Sequence, residues 1–400
     1  MPNYYVSASR GSDSTGAGTA TNPWATIGKA IDGGVSPGPA ITLPPSGTTR
    51  VIVEPGVYRE GLTLRLSPST TAPLVITGDP DGSLFAAGGA ADSKTGVVEW
   101  LAWTDDLTAM NASALVVSGK SNVTIEKFTI EGGSRNNSPY PGSAIDLPGA
   151  TNITIRDCVL VGCHDAALDA SVLRATATAG TTLNLLLERS EVVCGGDTTN
   201  GLRVLAPEHS SDYDVGVAVL NCLFRNGRDQ IRLEKSGGTG GKVARGMRVA
   251  GCTFLGDSTS ASVRADKWTG AAASPLIVVR LCVFAHNRRS VSGEDASYID
   301  EDYNFFTGGA PRWNTNAGAN SKIGLPRLNF SADRPAGGRP RPSAEPLAGS
   351  PLLAFGARPA DLAVDMLGRP RPDPCAAGCL ERAAPVGGGT APTYIFQTEG

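Results

Sequence analysis

The sequence predicts an all-β fold, a single-stranded parallel β-helix, and two observations carry that prediction. The first is composition. Of 400 residues, 50 are Gly and 28 are Pro, with 40% hydrophobic and 18% charged. That apolar content supports a continuous core and argues against disorder, and no triplet period suggests collagen. The Gly excess asks for many short strands joined by many turns. The second observation is an internal repeat. The segments "NVTIEKFTIEGG", "NITIRDCVLVGC", "NLLLERSEVVCG", "GVAVLNCLFRNG", "GMRVAGCTFLGD" and "LIVVRLCVFAHN" align without gaps.

One column of that alignment reads Phe128, Cys158, Ser190, Cys222, Cys252 and Cys282, a period of about 30 residues. Two residues later stand Ile130, Leu160, Val192, Phe224, Phe254 and Phe284, and three residues earlier Ile125, Ile155, Leu187, Val219, Val249 and Val279. Alternation with period 2 inside each segment marks a strand. Matching columns across segments say that the strands stack in register, each coil burying its apolar face on its neighbours.

Between these strands runs a second ladder, "SAIDL", "AALDA", "NGLRVL", "DQIRLEK", "ASVRADK" and "RSVSGED", with Ile145, Leu168, Leu202, Ile231, Val263 and Val291 as its inward column. Each repeat therefore supplies at least two strands. The organisation that follows has an N-terminal cap over residues 1–49, in which Ala25 to Ile31 reads as a short amphipathic helix. Coils fill residues 50–306. Residues 307–400 form an irregular Pro/Gly/Arg-rich segment laid on, or extending from, the last coil. Its final "TYIFQT" has strand character, so pairing with an exposed edge, and homo-oligomerisation through it, is an expectation.

The opening "YYVSASRGSDSTGAGTATNPWATIGKAI", then "VIVEPGVYREGLTL" and "PLVITG", resembles the first segment of right-handed parallel β-helix proteins of the pectate-lyase-like superfamily. The tail "LAGSPLLAFGARPADLAVDMLGRPRPDP" resembles the closing segment of many secreted members, with "CAAGCLERA" where they usually carry an acidic, aromatic stretch. The resemblance implies right-handed coils and an extracellular or cell-surface location, with a virion surface as the alternative. It implies no single activity, because that superfamily holds lyases, glycoside hydrolases, epimerases, tailspikes and non-catalytic surface proteins. Met1-Pro2-Asn3-Tyr4-Tyr5 lacks the basic and apolar regions of a signal peptide, and no apolar run is long enough for a membrane span.

The net charge of -3 conceals an uneven distribution. Residues 203–289 hold thirteen Lys/Arg and seven Asp/Glu, a balance of +6 that leaves -9 for the rest. The outward residues that follow the second ladder read Asp146, Asp169, Arg203, Arg232, Arg264 and Ser292. Three arginines thus stack at about the 4.8 Å strand spacing and repel, with Glu208, Glu234 and Asp266 offsetting them only partly. Two readings stand: an exposed ladder interleaved with carboxylates, or a groove for an acidic polysaccharide held by bidentate arginines. Nucleic acid is not expected, because no aromatic residue beyond Trp268 interleaves the basic band. "SGGTGGK" lacks the spacing of a phosphate loop.

Adjacent coils place Arg232, Glu234 and Lys235 above Arg264, Asp266 and Lys267. β-Elimination on a uronate needs a base for the C5 proton, a neutralised carboxylate and a proton for the leaving oxygen. Lys235 as base and Arg264 as carboxylate neutraliser supply the first two. Arg203, Arg232, Glu234, Asp266, Lys267 and His209 are the substrate-binding candidates. The pair looks similar to the Lys and Arg that β-helix alginate and chondroitin lyases place on adjacent coils. Lys235 stands one residue further from its strand than in that pattern, and the calcium ligands expected on preceding coils are not evident. A hydrolase would need paired carboxylates, for which Glu234 with Asp266, or Asp165 with Asp169, have suitable spacing.

No cofactor is expected. Calcium at Asp300-Glu301-Asp302 is the candidate metal, against a simpler reading of that run as a polar turn. Cys158, Cys222, Cys252 and Cys282 read as a buried thiol ladder. Cys163 with Cys194, and Cys375 with Cys379, are spaced for disulfides. Zinc at the latter pair would need two further ligands that the tail lacks. His164 and His209 flank the second ladder, whereas His286 falls in a turn.

Overall fold

A computed structural model describes residues 1–32, 39–90, 94–102, 113–132, 142–162, 170–195, 199–211, 213–237, 244–256, 260–266, 275–285, 289–307, 310–326, 328–329, 345–346 and 349–381. Each coil contributes three strands, which build three wholly parallel sheets. Sheet A has ten strands, from Asn3–Val6 through Thr49–Val53 to Ile299–Asp302. Sheet B also has ten, from Gly56–Arg59 to Lys322–Ile323, and sheet C nine, from Leu62–Thr63 to Ala310–Trp313. The chain is a right-handed parallel β-helix. Its coils continue in register past residue 306, and Asn3–Val6 joins sheet A beside Thr49–Val53.

Both columns of the gap-free alignment are in register. Ile125, Ile155, Leu187, Val219, Val249 and Val279 pair successively in sheet A. Ile130, Leu160, Val192, Phe224, Phe254 and Phe284 do so in sheet B. The rings of Phe224, Phe254, Phe284 and Phe306 stack with centroids 5.2, 4.8 and 5.1 Å apart, the offset-stack range. From the coil of Ser121–Glu126 onward, each coil turns between sheets A and B through a left-handed residue: Lys127, Asp157, Arg189, Asn221, Gly251, Leu281 and Tyr303. The residue after that corner points inward. Cys158, Cys222, Cys252 and Cys282 occupy this position as fully buried free thiols.

The second ladder departs from expectation on one coil. Ile145 pairs with Leu173, and Leu173 with Leu202, so Leu173 takes the place expected of Leu168. Leu168 and Asp169 lie outside the described residues. The strand Ser171–Thr176 carries the alternation instead, with Leu173 and Ala175 buried and Arg174 between them. A longer connection before this strand displaced the expected register.

Both ends of the core are closed, the first by the apolar face of a short helix carrying Ile27, Ala30 and Ile31, the second by polar groups. At the N-terminus, Ile27–Ile31 is an α-helix whose N-cap Thr26 accepts the Lys29 amide on Oγ1. Its first amides, Ile27 and Gly28, donate to the Glu60 carboxylate at 2.9 and 2.7 Å. At the far end Glu301 follows Val279 in the inward column of sheet A. Buried, it accepts from Arg312 and Ser321 at 2.6 Å and from the Gly318 amide at 2.8 Å. The Arg312 guanidinium lies 4.7 Å from the Phe306 ring and so ends the phenylalanine stack. Asp300-Glu301-Asp302 is therefore the last strand of sheet A, not a turn.

Residues 349–381 strap the outside of the later coils. Leu352, Met366, Ala377, Cys379 and Leu380 pack on Leu223, Leu255, Val283 and Phe305, the outward face of sheet B. Leu362 and Cys375 pack on Leu220, Ala250 and Leu281. The Cys379 amide donates to Thr253 Oγ1 at 3.0 Å. Cys375 and Cys379 are free buried thiols, so no small-loop disulfide forms between them.

Candidate functional site

Sheet C supports the site. Leu173, Leu202, Ile231, Val263 and Val291 stack in register as fully buried residues. The residue after each points outward, so one column runs Asp146, Arg174, Arg203, Arg232, Arg264, Ser292 and Trp313. Four arginines stand in it rather than three. Arg174 escaped the sequence reading because its coil was placed through Leu168.

A second outward column lies two residues further along each strand. It runs from Leu205 to Glu234, then to Asp266 and Glu294, which follow Ala265 and Gly293. The two columns interlock along a diagonal. Arg203 Nε reaches Glu234 on the next coil at 2.6 Å, Arg232 Nη2 reaches Asp266 at 2.7 Å, and Arg264 Nη2 approaches Glu294 at 3.7 Å. Contacts within a coil brace the diagonal, Arg264 Nε to Asp266 at 2.9 Å and Arg232 to Glu234 at 3.5 Å. Arg174 faces Leu205 in that column and turns back to Asp146, at 2.5 and 2.9 Å. Every arginine of the ladder is thus carboxylate-paired. The expectation of only partial compensation is corrected, and mutual repulsion is relieved by alternation of sign.

Asp229 was missed by the sequence reading. It opens the strand Asp229–Lys235, is fully buried, and accepts the Ala261 amide at 3.1 Å. Arg264 Nη1 lies 3.8 Å from its other oxygen. Burial pushes its carboxyl above the usual range, with Arg264 and Arg232 opposing the shift. Its place two residues before Ile231, matching Asn200 two residues before Leu202, was the available signal.

The remaining candidates divide. Lys235 Nζ is 2.8 Å from the buried Glu208 carboxylate. His209 lies in the loop after Asn200–Ala206, off both charged columns, with Nδ1 accepting the Ser211 amide at 3.2 Å and its ring edge-on to Tyr213. Lys267, Asp165, Asp169, His164, His286, Trp268 and Cys163 lie outside the described residues, and Cys194 is a buried free thiol.

The carboxylates of the calcium candidate already have protein partners. Asp300 pairs with Arg280 at 2.5 Å, Glu301 faces the core, and Asp302 accepts the Asn320 amide at 2.7 Å. These residues do not fit a calcium site. Among the described residues no three His, Cys, Asp or Glu side chains converge as a metal site. A polar cavity of about 330 Å³ lies on sheet A, between Arg280, Asp300, Asp302 and Asn316, on a different sheet from the arginine ladder.

No family model matches the chain, and no curated protein matches it. Several solved structures do. Pectate lyase Pel9A is 12% identical over 96% of this chain and 97% of its own, with a TM-score of 0.49. A pectin methylesterase from carrot is 11% identical over 82% and 89%, with a TM-score of 0.32. XylC, solved in complex with xylose, is 11% identical over 95% and 99%, with a TM-score of 0.36. At such identity the likeness concerns architecture. The three stacked parallel sheets make this chain a parallel β-helix.

Proposed function

We propose that the chain is a polysaccharide-handling β-helix that binds an acidic glycan along the outer face of sheet C. One observation carries the reading: a continuous outward column from Asp146 to Trp313, held in register by a buried ladder. A rigid, periodic display of Arg, Asp, Glu and Trp suits a repeating anionic polymer. Such a protein would work outside the cell or on a virion surface.

Elimination is the finer reading. Lys235 would take the C5 proton and Arg264 neutralise the uronate, with Arg203, Arg232, Glu234, Asp266, Lys267 and His209 contacting neighbouring sugars. The Glu208–Lys235 pair at 2.8 Å speaks for binding over elimination, because the amine must leave its carboxylate to act as a base. Affinity electrophoresis in alginate, pectate and glycosaminoglycan gels tests binding, and ultraviolet absorbance of unsaturated products tests elimination. Retardation without absorbance supports a binder. Absorbance lost in Lys235→Ala establishes the lyase, and no retardation in any gel sinks the proposal.

A second reading, a non-catalytic structural or adhesive element, is favoured by the last coil. Tyr303, Trp313, Ile323 and Leu325 are all exposed there, beside strand edges that are unpaired among the described residues. Pairing through residues 393–398, which lie outside the described residues, would produce an oligomer. A monomer by sedimentation, unchanged on deleting residues 391–400, contradicts it.

A further inference from the structure

The ladder arginines are satisfied by the protein's own carboxylates, so the strongest free recognition chemistry should lie elsewhere on the same face. It lies at the end of the column. Trp313 continues the outward column directly after Ser292 and is 52% exposed. Arg289, from the preceding coil, sets its guanidinium 4.1 Å from the centre of the Trp313 ring. Arg289 makes no ion pair among the described residues, in contrast to Arg174, Arg203, Arg232 and Arg264.

Chemistry follows from that pairing. A guanidinium held over an indole face makes that contact without using its N–H donors as hydrogen bonds. Those donors match a carboxylate bidentately. The indole offers a broad apolar surface with few rotatable bonds, the kind on which the C–H face of a pyranose settles. The platform is also held in place. Ser292 and Trp313 are paired strand residues, and the next residue, Asn314, takes a left-handed φ of 51° while donating to the Glu294 carbonyl at 2.7 Å.

We infer that Trp313 and Arg289 form a saccharide subsite for a carboxylate-bearing pyranose, a uronic acid residue, at the end of the sheet C column. The inference rests on the glycan reading and deepens it by naming the sugar class and the residues. Trp313 stacks the ring, and Arg289 takes the carboxylate. The glycan chain then extends back over Ser292 toward Arg264.

Isothermal titration of the full chain with defined hexamers of galacturonate, mannuronate and glucuronate tests it, with neutral hexamers as controls. Trp313→Ala should weaken uronate binding by about tenfold, on the scale of one well-stacked ring. Trp313→Phe should recover most of that loss. Arg289→Gln should weaken uronate binding and leave any neutral-sugar binding unchanged. Thermal midpoints of all three variants should stay near wild type, because Trp313 is exposed. Wild-type binding unaltered in Trp313→Ala and Arg289→Gln overturns the subsite while leaving a glycan-binding face elsewhere. Equal loss for neutral and acidic sugars in Arg289→Gln overturns the carboxylate assignment. Failure of the wild type to bind any hexamer overturns both the subsite and the reading beneath it.

Discussion

The buried Arg371 guanidinium donates to Asn221 Oδ1 at 2.8 Å, joining the C-terminal strap to a coil corner 150 positions earlier. The same group donates to Glu381 Oε1 at 2.7 Å and to the Gly378 carbonyl at 2.6 Å. Removing one partner of such a buried pair leaves the other uncompensated, at a cost of about 3–5 kcal/mol. Arg371→Ala should therefore lower the thermal midpoint by several degrees and open residues 349–381 to limited proteolysis. Unchanged melting with a protected strap would contradict the clasp.

The Arg203–Glu234 pair represents the diagonal lattice, with both side chains largely shielded at 14% and 18% exposure. Residues sharing a network couple by about 0.5–3 kcal/mol in double-mutant cycles. A cycle of Arg203→Met and Glu234→Gln, read by chemical denaturation, should show coupling inside that range. Additive effects would mean that the lattice is decorative.

Glu60 gives the N-terminal cap a pH dependence. Burial raises its carboxyl from 4.5 to about 7, opposed by hydrogen bonds from the Gly28 and Ile27 amides. The folded state therefore holds this proton more tightly than the unfolded chain does. Its stabilising contribution is complete below about pH 4.5 and is lost as pH rises through about 7. The loss is at most about 3 kcal/mol, at 1.36 kcal/mol per unit. Protection of the Ile27–Ile31 amides, corrected for intrinsic exchange, should fall between pH 5 and 8, and Glu60→Gln should flatten that profile. A cap that tightens over the same interval would refute the assignment.

Three buried thiols, Cys158 in the ladder, Cys194 at the end of a sheet B strand and Cys379 in the strap, should be chemically silent. Burial pushes the Cys158, Cys194 and Cys379 thiols up to about 12, which starves them of thiolate. Peptide mapping after iodoacetamide treatment should find these three unmodified in the native protein and alkylated after unfolding. Rapid native labelling at any of them would contradict their burial.

Much of this fold was legible in the sequence, for a physical reason. Columns at the corner between sheets A and B cannot tolerate insertions, because a left-handed residue and the buried residue after it must recur together. Connections into sheet C vary in length, and there the register slipped from Leu173 to Leu168, concealing Arg174. The strap had a signal that went unread. Outward positions of sheet B change from Thr129 and Glu191 on early coils to Leu223, Val283 and Phe305 on later ones. An apolar outer face needs a cover. The charged columns were legible as outward residues, but their diagonal pairing was not, because it depends on which coil each guanidinium leans toward.

Recognition of an acidic glycan by the sheet C face underlies both the proposed function and the Trp313 subsite. The most direct measurement titrates the full chain with a uronate polymer and with the same polymer after carboxyl reduction to its neutral sugar. Binding to the acidic polymer should weaken with salt and be largely lost on reduction. Equal affinity for both polymers, or affinity for neither, would contradict it.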